Sequence, residues 1–380
     1  MSGVLLPGSN LGVLGGGQLG RMFAIAARQM GYRVTVLTDA AESPGAQTAD
    51  EVIVAPYDDL DAVTKLGKAV DVVTFEFENV PARAAAEALR HAPVRPAGEL
   101  LHTTQNRIRE KRALQAAGLP VATFAEIESA ADLAAATETV GFPAVLKTSA
   151  WGYDGHGQRV VRDAVALAVA FEELGSQPAV LERMIAFQGE LSVVGARGLD
   201  GAVALYEPVQ NEHSNHILDV TLCPAPVADA VRDRAREIGR TVLEKFDVVG
   251  VLCVELFWLE DGTLLVNELA PRPHNSGHVT IDAHHCSQFE QQVRAVCGLP
   301  LGSTERIAPA GVMVNLLGDL WQNGEPDWAA ALRDDRVALH LYGKQDARPG
   351  RKMGHLTVVD DSLESARERA LAARATADTR

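Results

Sequence analysis

The sequence predicts a mixed fold, α/β at its N-terminal end and α+β beyond, closed by a small C-terminal region. Three observations carry this reading. Residues 10–39 run strand, glycine turn, helix, strand, a βαβ unit that opens a parallel sheet. Residues 254–278 hold two apolar runs separated by Glu260-Asp261-Gly262, the short-range signal of an antiparallel hairpin. Strands at 311–318 and 338–343, then an Ala-rich helix over 362–376, form a last small unit. Domain boundaries are expected at 1–102, 103–305 and 306–380.

Composition supports globular domains and narrows the partners. The 380 residues are 47% hydrophobic and 22% charged, enough for two or three cores. A net charge of −15 argues against a general nucleic-acid binder, which needs a basic face. It leaves room for anionic small substrates where Arg and Lys are concentrated locally. Cys223, Cys253, Cys286 and Cys297 form no CxxC and fit isolated thiols in a reducing compartment. The first ten residues lack a basic n-region and a full apolar h-region, and no apolar run approaches the roughly 18 residues of a membrane helix. A cytoplasmic protein without membrane contact is expected.

In chain order, the first turn matches GxGxxG through Gly15, Gly17 and Gly20, which predicts an anion at a helix N-terminus. A strand over 51–56, a short helix and a strand over 71–81 continue the unit, and 82–92 is an Ala-rich helix. Glu76 and Glu78 fall at the C-terminal end of a parallel strand, where ligands bind in open sheets. They either hold ribose hydroxyls or cap neighbouring helices. Pro93 and Pro96 mark a boundary, after which 103–118 reads as one basic helix closed by Gly118. A helix over 130–140 leads to a strand ending at Lys147. The glycine-rich TSAWGYDGHGQ then joins two strands. It is either a flap over nucleotide phosphates, with Lys147 supplying an ammonium, or a plain hairpin loop. After a helix (163–174) and a strand (179–185), Glu182 with Met184-Ile185 fits an adenine slot. Strands over 189–198 and 201–213 and a helix over 228–245 follow.

The stretch with the most chemistry is Val254–His278. With Asp261-Gly262 as a two-residue turn, Glu260 pairs with Thr263 and Glu255 lies opposite Glu268. Alternation puts Glu255 on the face of Cys253, Phe257 and Leu259, and Glu268 on that of Leu264 and Val266. Facing carboxylates on an apolar surface repel and lose hydration, so a cation belongs between them. A hard divalent ion suits the pair; the alternative is a structural ion pair with a nearby Arg. Arg272, His274 and Asn275 follow at once, between and beyond the stiffening Pro271 and Pro273. The histidines and Cys286 of 274–286 lie off any long helix and make a poor zinc set. A helix is expected over 286–297. The basic run with Lys344, Arg348, Arg351 and Lys352 is either a solvated turn or a phosphate clamp.

A βαβ domain, a Lys–flap–adenine-slot region and a two-carboxylate hairpin, in this order, resemble the ATP-grasp ligases. The segments GGGQLGRM, FEFENVP, GYDGHGQ, NELAPRPHNSGH, SQFE and RPGRKMGH are similar to those of the N5-carboxyaminoimidazole ribonucleotide synthetases, over about residues 10–359. The resemblance implies an ATP-grasp fold with an N-terminal Rossmann-like domain, and carboxylation of 5-aminoimidazole ribonucleotide by ATP and bicarbonate. It implies ATP contacts from Arg107, Lys147, the flap residues Gly152, Tyr153, Asp154, Gly155, His156, Gly157 and Gln158, the adenine-slot residues Glu182, Arg183, Met184 and Ile185, and from Glu190, His213, Asn267 and Glu268. Glu255 and Glu268 would hold Mg²⁺, two ions being implied and Mn²⁺ a substitute. Arg272, His274 and Asn275 would hold bicarbonate, with Asp154 as proton acceptor. Gln18, Leu19, Gly20, Glu76, Tyr153, Asp154, Arg272, Lys344 and Arg351 would hold the ribonucleotide. A homodimer is implied as well. The chain departs from the family pattern at His156, where Lys or Arg is usual, which puts the flap's charge near neutral pH in question. Two other readings remain: a different ATP-grasp enzyme, such as a formate-using transformylase or a biotin carboxylase, and a non-catalytic nucleotide-sensing protein. The RPHNSGH run favours the first assignment over other ATP-grasp enzymes, and a non-catalytic protein would leave the carboxylate pair and Lys147 unused.

Overall fold

The computed structural model describes residues 3–150 and 157–378. Four parallel strands, Glu51–Val54, Arg33–Thr38, Asn10–Leu14 and Val72–Phe75, lie side by side in that order. Apolar side chains fill both faces, as parallel sheets require, and the helix Gln18–Gln29 packs on one of them. The last strand is shorter than the predicted 71–81. It stops at Phe75, because Glu76 leaves the sheet to bond another helix.

A second sheet of four antiparallel strands runs Phe124–Ile127, Ala179–Arg183, Ala144–Thr148, Gln158–Val161. Helices Leu133–Val140 and Ala164–Glu173 share a core with it, and Asp163 caps the latter by accepting from the Ala166 N–H at 2.8 Å. The pairing of Lys147 with Gln158 leaves the glycine-rich loop joining two adjacent strands, as predicted.

The third sheet has nine strands and reaches from the hairpin Gly250–Trp258/Leu264–Ala270 at one edge to the C-terminal strands at the other. Its far end contains Lys352–Asp360, a strand the sequence reading took for the end of a basic turn. His355-Leu356-Thr357-Val358 alternates polar and apolar, yet Met353, His355 and Thr357 are buried on one face and Leu356 and Val358 on the other, so neither face is solvated. The predicted single helix over 103–118 is two, Gly98–Thr104 and Arg107–Ala116. Asn106 breaks it, its side chain accepting from the Arg109 N–H at 3.0 Å and so starting the second helix. Among the described residues no helix is long and apolar enough to cross a membrane.

Gly15 sits at φ +120°, and a Cβ there would lie 2.7 Å from the Glu76 side chain. Gly15→Ala should therefore cost at least about 1–3 kcal/mol in backbone strain alone, before the clash with Glu76. A thermal melt checks this: an unchanged Tm would mean that the turn tolerates a side chain.

Candidate active site

The hairpin departs from the predicted register twice, and the departures cancel. Leu259 N–H donates to Thr263 O at 2.9 Å and Gly262 N–H to Leu259 O at 3.0 Å, so the loop holds three residues, with Gly262 at φ +85°. This is the three-residue hairpin ending in a left-handed glycine rather than the two-residue turn. The ladder then pairs Leu256 with Val266, which continued would set Glu255 against Asn267. Asn267 is instead an extra residue in its strand. The register shifts, and Glu255 lies opposite Glu268 after all.

The bulge changes which way Glu268 faces. Val254, Leu256, Leu264, Val266 and Leu269 share one core, so the apolar positions step by three across the bulge. Glu268 therefore does not share the face of Leu264 and Val266, as strict alternation predicted. It turns to the other side, with Glu255.

Each carboxylate has its own cation in this structure. Arg107 Nη1 lies 3.4 Å from Glu268 Oε2, and His274 Nε2 lies 2.9 Å from Glu255 Oε1. Burial raises the Glu268 carboxyl, and the Glu255 charge raises it further against the pull of Arg107. Burial also works against the Glu255 charge, but His274 overrides it and holds the group at about 2. His274 is itself held up at about 10, burial being outweighed by Cys253 and Glu255. Its other ring nitrogen is 2.8 Å from the Ser276 hydroxyl.

Next to this pair opens a cavity of about 680 Å³, lined among others by Glu76, Arg272, His274, Asn275, Lys344 and Arg351. Four predicted segments far apart in sequence thus meet around one space, with Gln18 and Leu19 at its rim. Arg272 is engaged already, its Nη2 2.5 Å from Glu78 Oε1 and its Nη1 donating to Pro273 O at 2.9 Å. The amide of Asn275 is the opposite case. It is buried, and neither its Oδ1 nor its Nδ2 has a hydrogen-bond partner. Lys344 donates to Lys352 O at 2.5 Å and sits 5.6 Å over the Tyr342 ring. Burial and then the Arg351 charge bring it down to about 7, Glu76 opposing. Arg348, from the same basic run, points outward to Asp346.

The anion predicted at the glycine turn is the chain's own. Glu76 accepts from Gly17 N–H at 2.5 Å and Gly20 N–H at 2.9 Å, sealing the N-terminus of the helix Gln18–Gln29. Gly20 thus spends its N–H on Glu76. Each carboxylate oxygen keeps a lone pair, so the capping and ligand-holding readings of Glu76 are compatible.

On the nucleotide side, Lys147 Nζ lies 3.2 Å from Glu182 Oε2, and Lys111 Nζ reaches the same oxygen at 3.3 Å. Burial lowers Lys147 while Glu182 pulls it back up. Arg183 and Met184 are exposed and Ile185 half-buried at the strand end. His213 Nδ1 is 2.6 Å from Glu190 Oε2. Of the flap, Gly157 and Gln158 are described; Gly152, Tyr153, Asp154, Gly155 and His156 lie outside the described residues.

Three features escaped the sequence reading. Phe187 stacks on Phe257 at 4.9 Å beside the adenine-slot strand. Glu110 and Lys111, to which the reading of 103–118 as one basic helix gave no role, are buried against the hairpin. Burial, with Glu268 nearby, pushes Glu110 up to about 8. Their spacing from Arg107, three and four residues, was the available signal.

Comparison with known proteins agrees with the geometry. Family models match in chain order: a ribonucleotide synthetase preATP-grasp domain over residues 9–105, an ATP-grasp domain over 112–289, and a phosphoribosylaminoimidazole carboxylase C-terminal domain over 311–369. The N5-carboxyaminoimidazole ribonucleotide synthase of Bacillus subtilis is 43% identical over 93% of this chain and 92% of its own. That of Brucella melitensis is 44% identical over 93% and 97%. A crystal structure of an N5-carboxyaminoimidazole ribonucleotide synthetase in complex with ADP superposes with a TM-score of 0.92 at 41% identity, covering 98% of both chains. A structure of the synthase from Aspergillus clavatus with ADP and 5-aminoimidazole ribonucleotide gives 0.89 at 33% identity, covering 98% of this chain and 99% of that one. With its ATP-grasp fold and its likeness along nearly the full length, this chain belongs to the N5-carboxyaminoimidazole ribonucleotide synthase family.

Proposed function

We propose that the chain carboxylates the exocyclic amine of 5-aminoimidazole ribonucleotide, using ATP and bicarbonate and releasing ADP and phosphate, in purine biosynthesis. The observation that carries this is the unpartnered buried amide of Asn275, which lines one cavity with His274, Lys344, Arg351 and Glu76. A small planar oxyanion there satisfies both amide atoms once protonated at one oxygen, as bicarbonate is.

Bicarbonate is a poor electrophile. One of its oxygens takes the γ-phosphoryl group of ATP, giving carboxyphosphate and ADP. The ribonucleotide amine then attacks the carboxyl carbon, or CO₂ released from it, and phosphate leaves with the C–O bond. Lys147 and Arg107 neutralise the ATP phosphates, and Arg272 exchanges its contact with Glu78 for the anion, which its fork grips at two points. Asp154 accepts the amine proton, and the flap over Gly152–Gln158 keeps water from the mixed anhydride. Glu182 to Ile185 read the adenine, and Glu190 with His213 lies by the ribose. Glu76, Gln18 and Leu19 hold the ribonucleotide ring and ribose, and Lys344 and Arg351 its 5′-phosphate. Glu255 and Glu268, a hard-oxygen pair that each needs a cation partner, fit Mg²⁺, with Mn²⁺ a substitute; bound there, two such ions would offset the charge of the transferring phosphoryl group. The domain division at 103 and 306 and the cytoplasmic location rest on the sequence reading, and the homodimer on the resemblance.

Three measurements test the assignment. Neutralising Glu268 relieves a repulsion that burial and Glu255 impose, so Glu268→Gln should leave the metal-free protein as stable as wild type or more so. It should also remove most of the Tm rise that Mg-ADP gives the wild type. Loss of apo stability with that rise intact would make the residue a structural ion-pair partner of Arg107 instead.

Arg272→Ala should abolish bicarbonate-dependent ATP cleavage while ADP still binds, and Arg272→Lys should recover little, since a point charge lacks the two-pronged fork. Full turnover in the alanine variant would move the anion site elsewhere.

Lys344 titrates near the working pH. Its folded value, about 7, lies below the ordinary lysine value, so it carries its charge only as pH falls through that point. Ribonucleotide affinity should weaken above pH 7, approaching about tenfold per unit while the bound lysine stays charged. Lys344→Met should bind weakly and without that slope. A slope that survives in the variant would assign the titration to another group.

A further inference from the structure

The strand Leu264–Ala270 lies at the edge of the nine-stranded sheet, so its outward backbone groups meet no further strand of that sheet. They are held instead by the helix Arg107–Ala116 and the loop after it. Pro120 O accepts from Val266 N–H at 2.7 Å. Lys111 Nζ donates to Asn267 O at 3.2 Å, and Glu110 accepts from Leu269 N–H at 2.8 Å. Arg107, on the same helix face one turn earlier, reaches the Glu268 carboxylate. One face of one helix thus meets three consecutive strand residues, and those three are the bulge and its two C-terminal neighbours.

Both helix residues are nearly inaccessible, Glu110 at 3% and Lys111 at 2% exposure. Ionisable side chains are rarely buried to that degree unless bonded, and these bond backbone groups on the open edge of the strand, at the bulge and just beyond it. Lys111 has a second partner, Glu182 on the neighbouring sheet, at 3.3 Å. The consequence of losing this hold is set by strand geometry: a slip of one residue turns each side chain to the opposite face. Glu268 would then point into the core with Val266, away from Glu255.

We propose that Glu110 and Lys111 are positioning residues that pin the Asn267 bulge, keeping Glu268 turned toward Glu255 and, through Glu182, in register with the nucleotide-side sheet. The proposal rests on the assignment of Glu268 to the metal.

The test uses the full chain, with Mg²⁺ titrated at fixed ADP and binding followed by calorimetry, alongside kcat and KM for ATP. Glu110→Gln keeps an acceptor oxygen at the same reach and should hold the Mg²⁺ half-saturation within about twofold of wild type. Glu110→Leu should raise it about tenfold or more and lower kcat, with KM for ATP at saturating Mg²⁺ little changed, because the buried Leu269 N–H then loses its acceptor, a loss worth roughly that factor. Lys111→Met should raise both the Mg²⁺ half-saturation and the KM for ATP, since it also removes one of the two ammonium partners of Glu182. Should the leucine variant not fold, Glu110→Asp, which withdraws the acceptor by one methylene, gives the same comparison. An unchanged Mg²⁺ half-saturation in a cooperatively melting Glu110→Leu, Glu110→Asp or Lys111→Met would overturn the proposal. So would a glutamine variant as damaged as the leucine one. Glu268→Gln, run in parallel, separates the two levels: if it leaves the Mg²⁺ dependence intact, the metal assignment fails first and takes the clamp with it.

Discussion

Two carboxylates can face each other across adjacent strands only where the surrounding structure outweighs their repulsion and lost hydration. Here the opposition of Glu255 and Glu268 depends on one surplus residue in an edge strand, and much of the neighbouring architecture bears on it. The apolar side chains on either side of Asn267, Val266 and Leu269, enter one core and fix the step of three. His274 and Arg107 supply a positive charge to each acid, so the pair is tolerated before any ligand arrives. The segment after the hairpin is bound in turn to its own side-chain scaffold: Gln288 accepts from His274 N–H and donates to His274 O, at 2.8 and 2.7 Å. What reads in sequence as a run of unusual residues is a chain of local bonds that converts one register shift into a charged cleft.

Much of this was legible from residue types and spacing, and the gaps have physical causes. The Asp-Gly turn placed the hairpin, and the opposition of the two acids came out right although the loop is one residue longer and the strand carries a bulge. Both devices add one residue to the same side of the ladder count or remove it again, so a pairing sum hides them. Only the orientation of Glu268 exposes the difference. The strand Lys352–Asp360 starts within the basic run that was read as one unit, and its alternating His355, Leu356, Thr357 and Val358 are buried on both faces, so the polar members mark no wet face. Lys111 and Glu110 were given no role because a sequence does not say which face of a basic helix packs on a neighbouring strand. The resemblance carried the remaining roles, and the flap residues Tyr153, Asp154 and His156 lie outside the described residues.

The site is also assembled from distant segments in a way that explains why its members looked unrelated in sequence. Glu76 leaves the parallel sheet, Arg272 and Asn275 leave the hairpin, and Lys344 enters from the last strands, all into one cavity. The strands bearing the hairpin and those flanking the basic run belong to one continuous hydrogen-bonded sheet. Acid pair and phosphate-facing cations are thereby spaced by a ladder of backbone bonds rather than by loops.

Glu76 lying in the glycine turn has a consequence for molecular discrimination. Dinucleotide cofactors and their mimics recognise such turns through a pyrophosphate docked on the exposed amides at the helix start. In this chain those amides are already satisfied by an internal carboxylate, and a diphosphate would have to expel a buried side chain whose departure also opens the wall of the cavity. A signature that reads as a nicotinamide or flavin pocket is in effect plugged, so compounds built around that pharmacophore should pass this protein by. Selective ligands would instead have to address the space on the far side of the plug, in the cavity that Glu76 lines together with Arg272 and Lys344.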